Sequence, residues 1–498
     1  MESKIWKILK AIVYGIFVLV FVFVTLKLFF ADFIDNKSSN LEENVMKKKE
    51  VLTVIYPDEI GEFEPTFFNP TARQRLVNVY EPLVVADKDL NMKPSLAISW
   101  GLLDDYTWEF RLRSGVKFHD GSAFDVQDVL ASFERAARYE RSELKDLLST
   151  IRSVKAVDSA TIQITTLKPD PLLLQKVSNV LIISSDEVEM PTGTGPFMLS
   201  SWKFGERMEL IKNDEYWGGD VPFDTVVLKV EMDKSLRVND FLNGGADMLA
   251  FVPFDAVAAV KERGFETVSV PSLEVQFLLF NVNSSLLKDV KAREFLAGVF
   301  DKTALSRELG GFALPVDQFV SDGVFGFNPK IHNFPKSDVG LLKGKTLQLH
   351  LLKGLDVLGE FVRKSLKDSD VNVIVSYLDG NDFLKSLDAK KADMYFFGFK
   401  SDIGDSVDFF KTVVKSGADF NVMNYSDAQV DALIDQGLTE LDARRRRAVL
   451  QELMEIVVRK DVLGSPLFQY ETVFATNNSI DFVPRIDGLI YFNEITVK

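Results

Sequence analysis

TWEFRLRSGVKFHDGSAFDVQDVLASF, Thr107 to Phe133, carries strand, turn and helix signals in one unbroken run. Trp108 to Leu112 alternates apolar and polar side chains, the period of a half-buried strand. The chain then meets His119-Asp120-Gly121, where glycine lets the backbone enter the positive-φ region of a tight turn. Asp125 stands at an N-cap position and Asp128 in the first turn after it, while Val126, Val129, Leu130 and Phe133 recur on one stripe. That spacing predicts a helix ending near Tyr139.

The same signals recur on both sides of this segment. Val51 to Tyr56 (VLTVIY) is a β-branched strand stopped by Pro57, and further strand patterns fall at Thr161 to Thr166, Val226 to Val230, Gln276 to Phe280, Thr346 to Leu352 and Asn372 to Tyr377. Helical patterns lie between several of them, so mixed α/β lobes follow. Near the C-terminus, Asp427 to Leu438 and Asp442 to Arg459 read as amphipathic helices. The run Arg444 to Arg447 opens the second and reads as its solvated face beside acidic neighbours, in preference to an anion site.

A chain of 498 residues, 46% hydrophobic and 26% charged, is globular in composition and long enough for two or more lobes. Its net charge of -15 repels phosphate backbones, which argues against a nucleic-acid partner. Cysteine is absent, which removes disulfides, thiolate metal sites and Cys nucleophiles. The histidines are three, His119, His332 and His350, so most metal and acid/base chemistry lacks its usual parts; no cofactor is expected.

Ala11 to Ile34 is an apolar run interrupted mainly by Lys27 and Asp32. As a helix it would extend roughly 36 Å, enough for a hydrocarbon core of about 30 Å. Lys4, Lys7 and Lys10 precede it and Asp32 and Asp35 follow, so the positive-inside bias places residues 1–10 as a cytoplasmic tail, 11–34 as a transmembrane anchor and the rest outside the cytoplasm. The rival is a cleaved signal peptide, for which Leu28-Phe29-Phe30-Ala31 offers no small-x-small site. Residues 35–50 are polar and of mixed charge, the composition of a flexible tether.

Three ordered blocks carry a family resemblance: YEPLVVADKDLNMKPSLAISW (Tyr80 to Trp100), Thr107 to Phe133, and GTGPFMLSSWKFGERMELIKNDEYWGG (Gly193 to Gly219). With LLFNVNSSLLKDVKAREFLAGVFDK (Leu278 to Lys302) they resemble the peptide/nickel family, family 5, of substrate-binding proteins of ABC importers, with dipeptide- and oligopeptide-binding members nearest in pattern. The resemblance covers roughly residues 51–498. It implies a two-lobed, periplasmic-binding-protein type II-like α/β fold with an extra domain inserted early in the first lobe. Lobe I would be assembled from 51–82, 190–275 and 468–498, the inserted domain from 83–189 and lobe II from 276–467, with backbone crossings forming a hinge.

Most of these blocks read as scaffold. Gly115, Gly121, Gly193 and Gly195 are expected in positive-φ turns, and Trp100, Trp108, Phe110 and Phe118 as packing for the inserted domain. His119 is expected to be structural, since it sits in the turn.

In peptide binders of the family, a buried Asp of the second lobe pairs with the ligand's α-ammonium. Its local pattern is an aromatic, two variable residues, Asp, two more, then Asp-Pro and an aromatic. Phe399-Lys400-Ser401-Asp402-Ile403-Gly404-Asp405-Ser406-Val407-Asp408-Phe409-Phe410 matches it, which puts Asp402 at the amine-binding position and Phe399 beside it. Two departures stand out: Phe399 where Trp is common, and Ser406 in place of Pro. The bland reading of Asp402 is a loop or helix-cap residue. Tyr395, Phe396, Phe397 and Phe399 fit either a cleft lining or a core strand. Lys330, Lys336, Lys343 and Arg363 are cations in the second lobe, with no pattern selecting one for a ligand carboxylate.

The implied function is capture of a peptide or other small organic solute outside the cytoplasm and delivery to ABC permease subunits, by a monomer held at the membrane through its N-terminal helix. An enzyme is disfavoured, because no Ser elbow, zinc motif, P-loop or recognisable catalytic carboxylate pair occurs. Binding of an oligosaccharide, or a sensor module on the same fold, stays open.

Overall fold

Leu52, Val54, Ile55 and Tyr56 are all buried in the strand Lys49–Tyr56, which is flanked on both sides by parallel neighbours: Phe223–Val230, with Val54 opposite Leu228, and Met248–Leu249. A continuous apolar run is what a strand covered on both faces needs. The computed structural model describes residues 49–185, 192–332, 334 and 337–498; the expected tail, anchor and almost all of the tether lie outside the described residues.

Among the described residues the largest sheet has eleven strands. One end holds Asn372–Leu378, Thr346–Leu352 and Met394–Lys400, parallel to one another; toward the other lie Met248–Leu249, Lys49–Tyr56 and Phe223–Val230, also parallel, followed by an antiparallel meander through Arg207–Lys212 to Phe197–Lys203. Two long antiparallel strands, Glu266–Phe280 and Gly464–Thr476, connect the halves. Residues 266–271 pair with 471–476 and residues 275–279 with 464–469, and the ladder slips between Pro271 and Val275.

The sequence pattern marks only Gln276–Phe280 of the first crossing strand. The reason is its burial, which is exposed to intermediate through Ser272 and continuous only from Val275 onward. A strand that leaves one core to reach another has no sustained apolar period.

Apolar side chains gather in separate cores. One draws on residues 52–80, 181–250 and 474–495, and another on 83–182, where Phe110 and Phe118 are buried with Trp100 and Trp108 against them. A third and a fourth are built almost entirely from residues beyond 273, and a fifth closes around Phe241 and Val260. The segment Thr107–Leu112 pairs within a four-stranded sheet, and the helix Val126–Arg138 starts with a capping box in which Asp125 accepts from Gln127 N at 2.7 Å and Asp128 accepts from Asp125 N at 2.7 Å.

Gly115 and Gly121 have φ of 76° and 86°. Gly193 and Gly195 depart from expectation: they are needed for close approach and not for positive φ. A Cβ there would come within 2.1 Å and 2.6 Å of the Val79 carbonyl oxygen. His119 faces the Gly195 carbonyl with Nε2 at 3.0 Å, and burial pushes its pKa down to about 4, which keeps the ring neutral at physiological pH and fits a structural part.

Candidate functional site

The strand Met394–Lys400 runs antiparallel to the first crossing strand, with Phe399 opposite Val275, and delivers the chain into the turn Ser401-Asp402-Ile403-Gly404. Gly404 N donates to Ser401 O at 3.2 Å, and Gly404 takes φ of 66°, a conformation that favours glycine. Beyond the turn, Val407–Phe409 and Phe410–Val414 wind back into the core. The turn is pinned from both ends: Asp405 N donates to Ser401 Oγ at 2.9 Å, and Phe325 N donates to Gly404 O at 2.9 Å.

Ser406 at the place of the family's Pro has a backbone consequence, because its N–H donates to Phe325 O at 2.9 Å. A proline has no hydrogen to give there.

Three acids on this segment, spaced three residues apart, meet three environments. Asp405 is sealed and held bidentately by Arg446, whose Nη1 and Nη2 donate to its two oxygens at 2.6 and 2.9 Å; Asp405 also accepts from Val407 N at 3.0 Å. Asp402 sits at the turn with its side chain 51% exposed, and Lys400 lies 3.5 Å from it. Among the described residues it accepts no hydrogen bond, so the capping duty falls to Asp405. Asp408 is mostly buried, and desolvation together with the Asp405 and Asp402 charges pushes its carboxyl up to about 7.

Phe399 packs edge-on to Phe409 at 5.5 Å, and Phe409 stacks on Phe319 at 4.9 Å. It therefore roots the turn in the core and remains half-buried. Tyr395 and Phe396 belong to cores outright; the Tyr395 hydroxyl donates to Ser386 O at 3.0 Å and accepts from Ala392 N at 2.9 Å. Lys330 and Lys343 are exposed, Arg363 is engaged with Glu360, and Lys336 lies outside the described residues.

The four-arginine run is corrected at one position. Arg444, Arg445 and Arg447 are exposed, whereas Arg446 has a side chain 4% exposed, donates through Nε to Gly437 O at 2.7 Å and carries the Asp405 pair. A signal existed: Arg446 lies on the same helical stripe as Val449, Leu450 and Leu453, all of which are buried.

A cavity of about 600 Å³ opens beside the turn. Ile403 and Asp408 contribute from this segment, Leu438 from beyond the following helix, and Leu147, Leu172 and Lys176 from the 83–189 stretch. Nothing in the sequence spacing places these residues together. Among the described residues no group of three or more His, Asp or Glu could hold a metal ion.

Residues 91–346 match the family described as bacterial extracellular solute-binding proteins, family 5, middle. The chain belongs to that family. It is 24% identical over 439 residues to the dipeptide-binding protein of Escherichia coli strain K12, an alignment covering 76% of this chain and 81% of the relative. Among solved structures it is similar to HbpA2 from Haemophilus parasuis, with a TM-score of 0.83 and 20% identity over 90% of this chain and 100% of the other. It is also similar to the ABC transporter-associated periplasmic binding protein DppA from Helicobacter pylori in complex with peptide STSA, with a TM-score of 0.70 and 21% identity over 92% and 99%. The α/β periplasmic-binding-protein fold expected from sequence is thereby established.

Proposed function

We propose that this chain is the capture component of an ABC importer for peptides, holding the solute between two lobes that close about the strands Glu266–Phe280 and Gly464–Thr476. The observation that carries the reading is Asp402: an exposed carboxylate on an otherwise buried turn, two residues beyond the strand Met394–Lys400, without a hydrogen-bond donor among the described residues. Peptides of varied sequence share an α-ammonium, and a half-exposed carboxylate held by the backbone, with only the loose Lys400 ion pair at 3.5 Å, suits that group. The Escherichia coli relative is a dipeptide-binding protein and the Helicobacter pylori structure is in complex with a peptide, which supports the same class.

In this reading residues 51–82, 190–275 and 468–498 form lobe I, 83–189 the inserted domain and 276–467 lobe II. Phe399 supports Asp402 from beneath. Residues 1–10, 11–34 and 35–50 serve as cytoplasmic tail, membrane anchor and tether, and the protein works as a monomer with ABC permease subunits as partners.

Closure by ligand requires tighter binding to the closed state. Small-angle scattering on the chain from Lys49 onward should therefore show a smaller radius of gyration at saturating peptide than without it. An unchanged radius at saturation contradicts hinged capture. The anchor has its own test: a protease added to intact cells, or to spheroplasts where an outer membrane exists, should degrade the large domain and leave the N-terminal tail protected. Full protection of the large domain would overturn that topology.

A further inference from the structure

The chamber beside Asp402 combines an apolar wall with a rim of charged side chains, and Asp408 is the mostly buried charge among them that has no partner. Leu147 and Leu172 come from the inserted stretch, Ile403 and Leu438 from the opposite side, and together they make a surface suited to a methylene chain. The polar groups around it are mostly committed. Lys176 Nζ donates to Asp170 Oδ2 at 2.6 Å and to Thr150 Oγ1 at 2.7 Å, and Asp435 pairs with Lys415. Asp146, Lys168 and Lys411 also line the chamber without a side-chain partner but are exposed to solvent, whereas Asp408 is mostly buried and its carboxylate accepts no hydrogen bond and pairs with no cation among the described residues.

Leaving a carboxylate among apolar walls without a partner is unfavourable, and the charged form recovers only when a donor arrives. Asp402 and Asp405 on its own segment repel the charge, Lys411 one turn further on and Lys176 across the chamber attract it, and the balance favours the protonated acid up to about pH 7. The two basic neighbours do not fill the gap. Lys176 is held by Asp170 and Thr150, and Lys411 is exposed to solvent.

Resting on the peptide reading above, we propose that this chamber is a specificity subsite for a basic side chain of the bound solute, with the apolar walls taking its methylene stem and Asp408 taking its ammonium or guanidinium. Asp402 and Asp408 then read two positive charges of one ligand, the first general to peptides and the second selective. A cationic side chain that seats against Asp408 displaces its proton, because the paired carboxylate is the ionised form.

The test is calorimetry on the detergent-solubilised full chain at pH 7 with tripeptides Ala-X-Ala and Ala-Ala-X, where X is lysine, arginine or norleucine. One basic series should bind about 10- to 100-fold tighter than its norleucine counterpart, the scale of a charge-assisted hydrogen bond. Titrations in buffers of different ionisation enthalpy should show proton release for the basic peptide and none for norleucine. Asp408→Asn should abolish both differences, and Asp408→Ser should do the same if the amide retains a contact. Basic and norleucine peptides binding within twofold of each other overturns the subsite and leaves peptide capture standing. Failure of every peptide to bind overturns both, and preserved selectivity in both Asp408 variants overturns the role of that residue.

Discussion

Asp402→Asn should weaken binding of a free-amine peptide by roughly 30- to several-thousand-fold, the range expected when one partner of a desolvated charge pair is removed. The Asp402 side chain is half-exposed to water. Lobe closure would strip that water, and the ammonium would replace it. Asparagine keeps the shape of the side chain and removes its charge. The turn itself should survive, because Ser401, Gly404 and Asp405 hold it through bonds that do not involve the Asp402 side chain. N-acetylation of the peptide should cause a similar loss in the unmodified protein, and the two losses should not add, since both delete one interaction. Additive losses would place the ammonium elsewhere.

Arg446→Met should destabilise the protein by about 3 to 5 kcal/mol, measured as the urea midpoint at unchanged slope. The side chains of Asp405 and Arg446 are 1% and 4% exposed, so truncating the arginine leaves a carboxylate in a dry site with only the Val407 amide to answer it. Adding Asp405→Asn should return part of the lost stability, because the orphaned charge is the larger penalty. The pair also ties the helix Ala443–Glu455 to the turn that presents Asp402. The single variant should therefore also lose affinity at peptide concentrations where it remains folded. A stability change below about 1 kcal/mol would mean that the pair is not what holds this turn.

Much of the fold was legible because local signals agree with tertiary placement. Thr161–Thr166 and Thr346–Leu352 form strands over the ranges their alternation marks, and the helices beginning after Asp125, Asp427 and Asp442 start at those caps. The crossing strands were legible only at their buried ends, since burial and not propensity produces an apolar period. Gly193 and Gly195 were recognised as constrained positions, but their constraint is a neighbouring carbonyl from residue 79, which no local pattern encodes.

The site divides in the same way. Asp402 stands out through a motif contained in twelve residues, and the turn can be read from its glycine. The Arg446 pairing spans 41 residues and was masked by three exposed arginines around it, although the stripe shared with Val449 and Leu450 distinguishes it. The chamber joins residues 146–176 to residues 403–439, and such a meeting exists only after the inserted stretch packs against the later half of the chain.

The most direct test of peptide capture is a calorimetric titration of the unmodified protein with di- to hexapeptides, each with a free and an acetylated N-terminus. The account predicts saturable one-to-one binding of free peptides and a loss of at least about 30-fold on acetylation. Equal affinity for free and acetylated peptides, or no binding of either, would contradict it.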